Sequence, residues 1–338
     1  MLPLTVADSK ITPFVLPFVR PLTIAKQALT QREGYYLEVA LSNGVSAKAE
    51  IAPLPGLSQE TLKKARHDAE QLIAVLRGWE IPPEKTALID KIREDQAVLN
   101  SCASVRFGFE SALFLLAAQA QGRTLVQFLG AGQPDMPSAV LLQGSHEEVM
   151  AYAQQMKSQG RKVFKLKVGD RNVALDVKKV EALRQIIGPQ GTIRLDANRA
   201  WSFEEALLFA QLAGNSQIEF IEEPVNDPAR INEFFQAAHM PAALDESLGM
   251  MRCGVSAPGR CTPTLTAQEA VAAYIIKPMV LGGIVITLDW IEEAERLGKQ
   301  AIISSAFESP VGLNILRALA ALTGRSPGLD TQRWFKNG

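Results

Sequence analysis

The chain has 338 residues, enough for a large core and for more than one ordinary domain. It is 47% hydrophobic, with a formal net charge of -1 and no basic stripe or acidic tail, which argues against a nucleic-acid or solvating role. No run approaches the roughly 18 apolar residues that span a membrane, no basic-then-apolar leader opens the chain, and Cys102, Cys253 and Cys261 make no disulfide framework. A cytoplasmic protein with free thiols is the expectation.

From Gly34 to Glu50, YYLEVAL and SAKAEIA flank Ser42-Asn43-Gly44. Asn-Gly between alternating apolar runs predicts a hairpin. A helix is expected from Ser58, with Glu60 as a first-turn acid, and another over Ser104 to Ala120. A hairpin followed by helices suggests a small α+β domain, assigned to residues 1–125.

From Ser138 the pattern alternates. SAVLLQG, KVFKLKV, TIRLDAN, IEFIEEP, AALDES, YIIKP and AIISSA are short apolar strands. Helical runs fill most of the gaps, at His146–Ser158, Val173–Ile187, Phe203–Leu212, Ile284–Leu297 and Gly312–Leu322. Such alternation means parallel pairing with crossovers, and seven or eight units fit a (β/α)7β barrel of TIM type over residues 126–327. An open doubly wound sheet would carry a Gly-rich phosphate loop after its first strand, and there is none. Residues 328–338 are expected to return to the N-terminal domain. Gly249 to Thr266, rich in Gly, Pro and Cys, reads as a long loop.

In a parallel barrel, functional side chains sit at the C-terminal strand ends. Charged residues interrupt five successive apolar strands there: Lys167, Asp196, Glu222, Asp245 and Lys277. Each is about one β/α unit from the next, so all five should meet at one mouth. A buried charge is costly unless paired or ligated, and five at equivalent positions are hard to explain otherwise. Taken singly, each acid could be a helix N-cap. Together, Asp196, Glu222 and Asp245 suit a hard cation, Mg2+ or alternatively Mn2+, and the lack of His and Cys argues against zinc. Lys167 and Lys277 bracket the carboxylates, and a lysine near another cation can serve as a base near neutral pH. Lys165 shares the interior face of its strand, and its charge is expected to lower the pKa of Lys167 further. These parts support proton abstraction α to the carboxylate of a small molecule.

The motifs Lys165-Leu166-Lys167, Asp196-Ala197-Asn198, Glu222-Glu223-Pro224, Asp245-Glu246-Ser247 and Ile276-Lys277-Pro278 resemble the muconate lactonising branch of the enolase superfamily. APLPGLSQET, RLDANRAW and SSAFESPVGL extend the similarity over most of the chain. The resemblance implies syn loss of water from 2-succinyl-6-hydroxy-2,4-cyclohexadiene-1-carboxylate, a step of menaquinone biosynthesis. It implies that Lys167 removes the proton, that Lys277 stays charged on the other face, and that Glu223 points away. It makes Arg194, Asn198, Ser304, Ser305 and Glu308 pocket or supporting residues, and residues 13–32 a mobile loop over the site. The same ring would also serve an N-succinylamino acid racemase or a dipeptide epimerase, and an inactive binding scaffold is the non-enzymatic alternative.

Overall fold

The computed structural model describes residues 4–24, 27–132, 136–250 and 269–336. Cys253, Cys261 and the expected long loop beyond Met250 lie outside them. The N-terminal part is an antiparallel sheet of β1 (Val6–Ile24), β2 (Gln27–Leu41) and β3 (Ser46–Ile51), in the order β1-β2-β3. Helices α1 (Leu62–Leu76), α2 (Lys85–Glu94), α3 (Gln96–Leu99), α4 (Ala103–Ala120) and α5 (Leu125–Leu129) follow.

The predicted hairpin is present, but it is the inner half of a longer structure. Of residues 13–32, expected to be a mobile loop, those at 13–24 belong to β1 and those at 27–32 to β2, which pair from Val6↔Leu41 to Ile24↔Gln27 with irregularities after Val6 and Pro17. Pro13 and Pro17 are tolerated because β1 is an edge strand, where a missing N–H breaks no ladder bond. Helix α1 begins at Leu62 rather than Ser58. Thr61 caps it, while the Ser58 hydroxyl accepts from the Leu54 N–H within a turn.

The second part alternates as expected: β4 (Val140–Leu142), α6 (His146–Ser158), β5 (Val163–Lys167), α7 (Val173–Ile187), β6 (Thr192–Asp196), α8 (Phe203–Ala213), β7 (Ile218–Glu222), α9 (Ile231–Ala238), β8 (Ala242–Leu244), α10 (Glu246–Met250), β9 (Val271–Ile276), α11 (Pro278–Leu281), α12 (Ile284–Arg296), β10 (Gln300–Ile303) and α13 (Pro310–Ala320). Strands β4 to β10 form one parallel sheet in sequence order. Capping boxes set the starts of α6 (Ser145 with Glu148) and α8 (Ser202 with Glu205), so these helices begin just beyond the strand ends that carry function.

The ring is completed by a segment without strand signature. The Gly328 N–H donates to the Ile303 carbonyl at 2.8 Å, the Ser305 N–H to the Gly328 carbonyl at 3.0 Å, and the Ala139 N–H to the Pro327 carbonyl at 2.7 Å. Residues 327–328 thus bridge β10 and the approach to β4. Farther on, Phe335 bridges Phe18 of β1, and Phe18, Leu22, Trp334 and Phe335 form a small apolar cluster. Phe220, Ala243, Ala273, Ile275 and Ile302 form a separate buried cluster on β7 to β10. Helix α4 is buried almost all round and packs on β3, α11 and α12, joining the two parts. Among the described residues no helix is long and apolar enough to cross a membrane.

Candidate active site

The strand registers bring the ring together. Lys167 is the ladder partner of Asp196, and Asp196 that of Glu222. Asp245 and Lys277 directly follow β8 and β9. A cavity of about 440 Å3 opens there, and Lys165, Lys167, Asp196, Asn198, Glu246 and Lys277 are among the residues that line it.

The Lys165 ammonium lies 2.5 Å from Glu222 Oε2 and 3.0 Å from Asp196 Oδ2. It was expected to act on Lys167. Its charge is instead compensated by two carboxylates, which hold its pKa well above the ordinary lysine range although burial opposes this. Lys277 donates to Asp245 Oδ2 at 2.5 Å. Lys167 donates to the amide oxygen of Asn198 at 2.6 Å, a neutral partner. Burial raises the Glu222 carboxyl, and Asp196 and Asp245 add to this against Lys165. Burial would raise Asp196 too, but Lys165, Lys167 and Lys277 together bring it down.

The donor chemistry fits a hard divalent cation: three buried carboxylates on rigid strand ends, one of them driven toward its neutral form by burial and by the other two. In their present positions no described group of three acids, histidines or cysteines is ready to hold a metal ion. The ammonium groups of Lys165 and Lys277 stand against these oxygens, so a bound cation would require them to shift.

The other anticipated residues divide. Ser304 and Ser305 line the cavity, and Ser305 Oγ donates to Glu308 Oε2 at 2.6 Å. Glu308 itself is fully buried behind that wall. Arg194 does not line the cavity. It is buried, with Nε donating to Glu219 at 2.7 Å, Nη1 to the Ser326 carbonyl at 2.6 Å, and its guanidinium 5.2 Å from the Phe220 ring centre. Strand alternation placed it on the face of Asp196, but its length carries the charge to those partners. Glu223 turns away from the cavity at a positive φ of 44° and accepts from the N–H groups of Asp245 and Ser247 and from Arg199.

Several further residues line the cavity that were not named singly as candidates. Glu246 lines the cavity; Oε1 accepts from Asn198 Nδ2, and Oε2 has no hydrogen-bond partner among the described residues. Asp330 and Thr331 enter from the segment after the ring closure, Leu22–Ile24 from the hairpin tip, and Leu54, Gly56 and Leu57 from the turn after β3. Leu22–Ile24 fall in the 13–32 stretch expected over the site, and Leu54, Gly56 and Leu57 in the APLPGLSQET run, whereas Asp330 and Thr331 carried no sequence signal.

Fold and ring together define a class: a capped β/α barrel with acid–base and anionic groups on consecutive strand ends. Residues 148–336 match the family described as enolase C-terminal domain-like, and residues 7–116 match the MenC N-terminal domain. The o-succinylbenzoate synthase of Aliivibrio fischeri (strain MJ11) is 35% identical over 97% of this chain and 91% of its own. That of Vibrio cholerae serotype O1 (strain M66-2) is 34% identical over 96% and 89%. Among solved structures, the L-Ala-D/L-Glu epimerase from Bacillus subtilis superposes with a TM-score of 0.82 at 23% identity, over 98% of this chain and 91% of its own. A dipeptide epimerase from Enterococcus faecalis V583, complexed with Mg and a dipeptide, gives 0.80 at 22%, over 97% and 90%. These structures share the fold. The chain belongs to the enolase superfamily and, within it, to the o-succinylbenzoate synthase family.

Proposed function

We propose that the protein is a hydro-lyase that converts 2-succinyl-6-hydroxy-2,4-cyclohexadiene-1-carboxylate to o-succinylbenzoate, as a step of menaquinone biosynthesis. One observation carries this: the intact ring Lys167, Asp196, Glu222, Asp245 and Lys277 in a chain matched almost end to end by o-succinylbenzoate synthases. Asp196, Glu222 and Asp245 would hold a divalent cation, Mg2+ by analogy with the complexed epimerase. When bound, the ion supplies positive charge to the substrate carboxylate as the neighbouring carbon loses its proton.

The chain's own residues do the rest. Lys167 takes the proton from the carbon α to the carboxylate, then returns it to the departing hydroxide on the same face. Lys277 remains an ammonium and stabilises the charge that builds on the carboxylate oxygens. Asn198 orients Lys167 through its amide oxygen. Ser304, Ser305 and the hairpin tip enclose the organic part of the substrate. Loss of water leaves an aromatic ring, which drives the reaction forward.

The test is direct. With Mg2+, purified protein should convert the cyclohexadiene, followed as loss of its near-ultraviolet absorbance. Absence of conversion together with exchange of the α hydrogen of N-succinyl amino acids would reassign the site to racemisation.

A further inference from the structure

A second set of buried charges lies on the seam between the N-terminal sheet and the barrel, and the proposed chemistry does not use it. Arg32 of β2 is 1% exposed. Its guanidinium donates to the carbonyls of Pro53 at 2.6 Å, Phe307 at 3.2 Å and Glu33 at 3.3 Å, and also to that of Ala52. Glu50 of β3 is fully buried. It accepts from the Ser309 hydroxyl at 2.5 Å and from the N–H groups of Ser309 and Gly312 at 3.0 Å. Its carboxylate therefore caps α13 from another part of the chain, where free N–H groups and the helix dipole favour an anion. A Cβ on Gly312 would stand 2.7 Å from Glu50 Oε2, so only glycine admits this approach.

The acceptors of Arg32 lead straight to the cavity. Ala52 and Pro53 run into Leu54, Gly56 and Leu57, and Phe307 ends the run Ser304–Phe307; both segments line the cavity. Arg32 and Glu50 do not line it. One planar fork reaches two wall segments at once, which a lysine ammonium cannot reproduce.

We propose that Arg32 and Glu50 are positioning residues: buried in the seam, they fix the 54–57 and 304–307 walls at one spacing and so set the fit of the substrate without touching it. The choice of substrate rests on the function proposed above; the clamp itself does not. Small displacements of binding walls are costly to substrate alignment, whereas the ring on β5 to β9 is anchored separately.

The decisive variant is Arg32→Lys, compared with Glu110→Gln, which weakens the separate α4–α12 contact made through the Val285 N–H. Arg32→Lys should raise KM for the cyclohexadiene by about tenfold or more and change kcat by less than about threefold. Glu110→Gln should lower the melting temperature with KM unchanged. Hydrogen exchange should quicken at 54–58 and 304–309 in Arg32→Lys and stay unchanged in α8. A KM shift no larger than that of Glu110→Gln, or unaltered exchange in the two segments, overturns the clamp. Should Arg32→Lys not fold, Ser309→Ala removes one Glu50 partner; it should raise KM by about threefold and quicken exchange at 304–309, and no change in either overturns the clamp. Wild-type protein that leaves the cyclohexadiene untouched refutes the substrate assignment, and the exchange measurement still decides the clamp.

Discussion

The ring at the barrel mouth and the Arg32–Glu50 seam both bury cations and carboxylates, yet different partners satisfy them. In the seam, backbone groups do it: four carbonyls for Arg32, and two N–H groups and a hydroxyl for Glu50. Those partners are fixed by strands and a helix start. In the ring, charges rest on one another, Lys165 on Glu222 and Asp196, Lys277 on Asp245, and one oxygen of Glu246 has no partner among the described residues. A buried charge held by backbone serves architecture. A buried charge held mainly by other charged side chains can exchange its partner for a ligand.

The largest effect that can test this contrast is on turnover. Lys167→Ala should lower kcat by about a thousandfold or more while the circular dichroism spectrum and melting temperature stay those of the wild type. Retained activity would remove Lys167 from the mechanism. The neutral partner of Lys167 makes the structural consequence small, because no buried carboxylate is left unpaired.

Stability gives the next contrast. Lys165→Met strips Asp196 and Glu222 of their shared cation and should cost on the order of 3 kcal/mol in metal-free buffer. Added Mg2+ should recover most of that loss in a calorimetric melt. Glu50→Ala should cost about 2 kcal/mol by leaving Arg32 and the start of α13 without their anion, and Mg2+ should recover none of it. Equal responses of the two variants to Mg2+ would erase the distinction between ring and seam.

The two regions also differ in how far their sequences could be read. The ring is legible because Lys167, Asp196, Glu222, Asp245 and Lys277 break apolar strands at a constant structural interval, and strand ends face one mouth. The seam is not, because Arg32 and Glu50 lie within strands where a charged residue ordinarily means an exposed position. Their burial depends on the distant Phe307 and on the start of α13, which no local pattern reveals. The outer half of the hairpin was missed for a different reason. Its expectation as a loop came only from the family resemblance, yet Pro13 and Pro17 sit in an edge strand that accommodates them; the Pro17 carbonyl accepts from the Lys336 N–H, on the side away from β2. Ring closure at Gly328 rests on a single isolated bridge, to Ser304, too short for periodicity to detect.

Glu308 gives the smallest effect and bears on the seam alone. Burial lifts its carboxyl to about 7, with the nearby Glu50 adding to this and the Ser305 hydroxyl and Arg32 opposing it. Its Oε1 has no hydrogen-bond partner among the described residues, while Oε2 accepts from Ser305 Oγ and the Ala306 N–H. The folded-state pKa lies above the unfolded value, so folding favours the protonated form. The stabilisation is therefore complete below the unfolded pKa of about 4.5 and is lost as pH rises through about 7. Wild-type stability from urea unfolding should fall between pH 5 and 8, by an amount on the order of 2 kcal/mol attributable to this group. Glu308→Gln keeps the neutral form and should flatten that part of the curve. Parallel curves for the two proteins would mean that Glu308 is ionised at no unusual cost, leaving the seam with two carboxylates against one guanidinium.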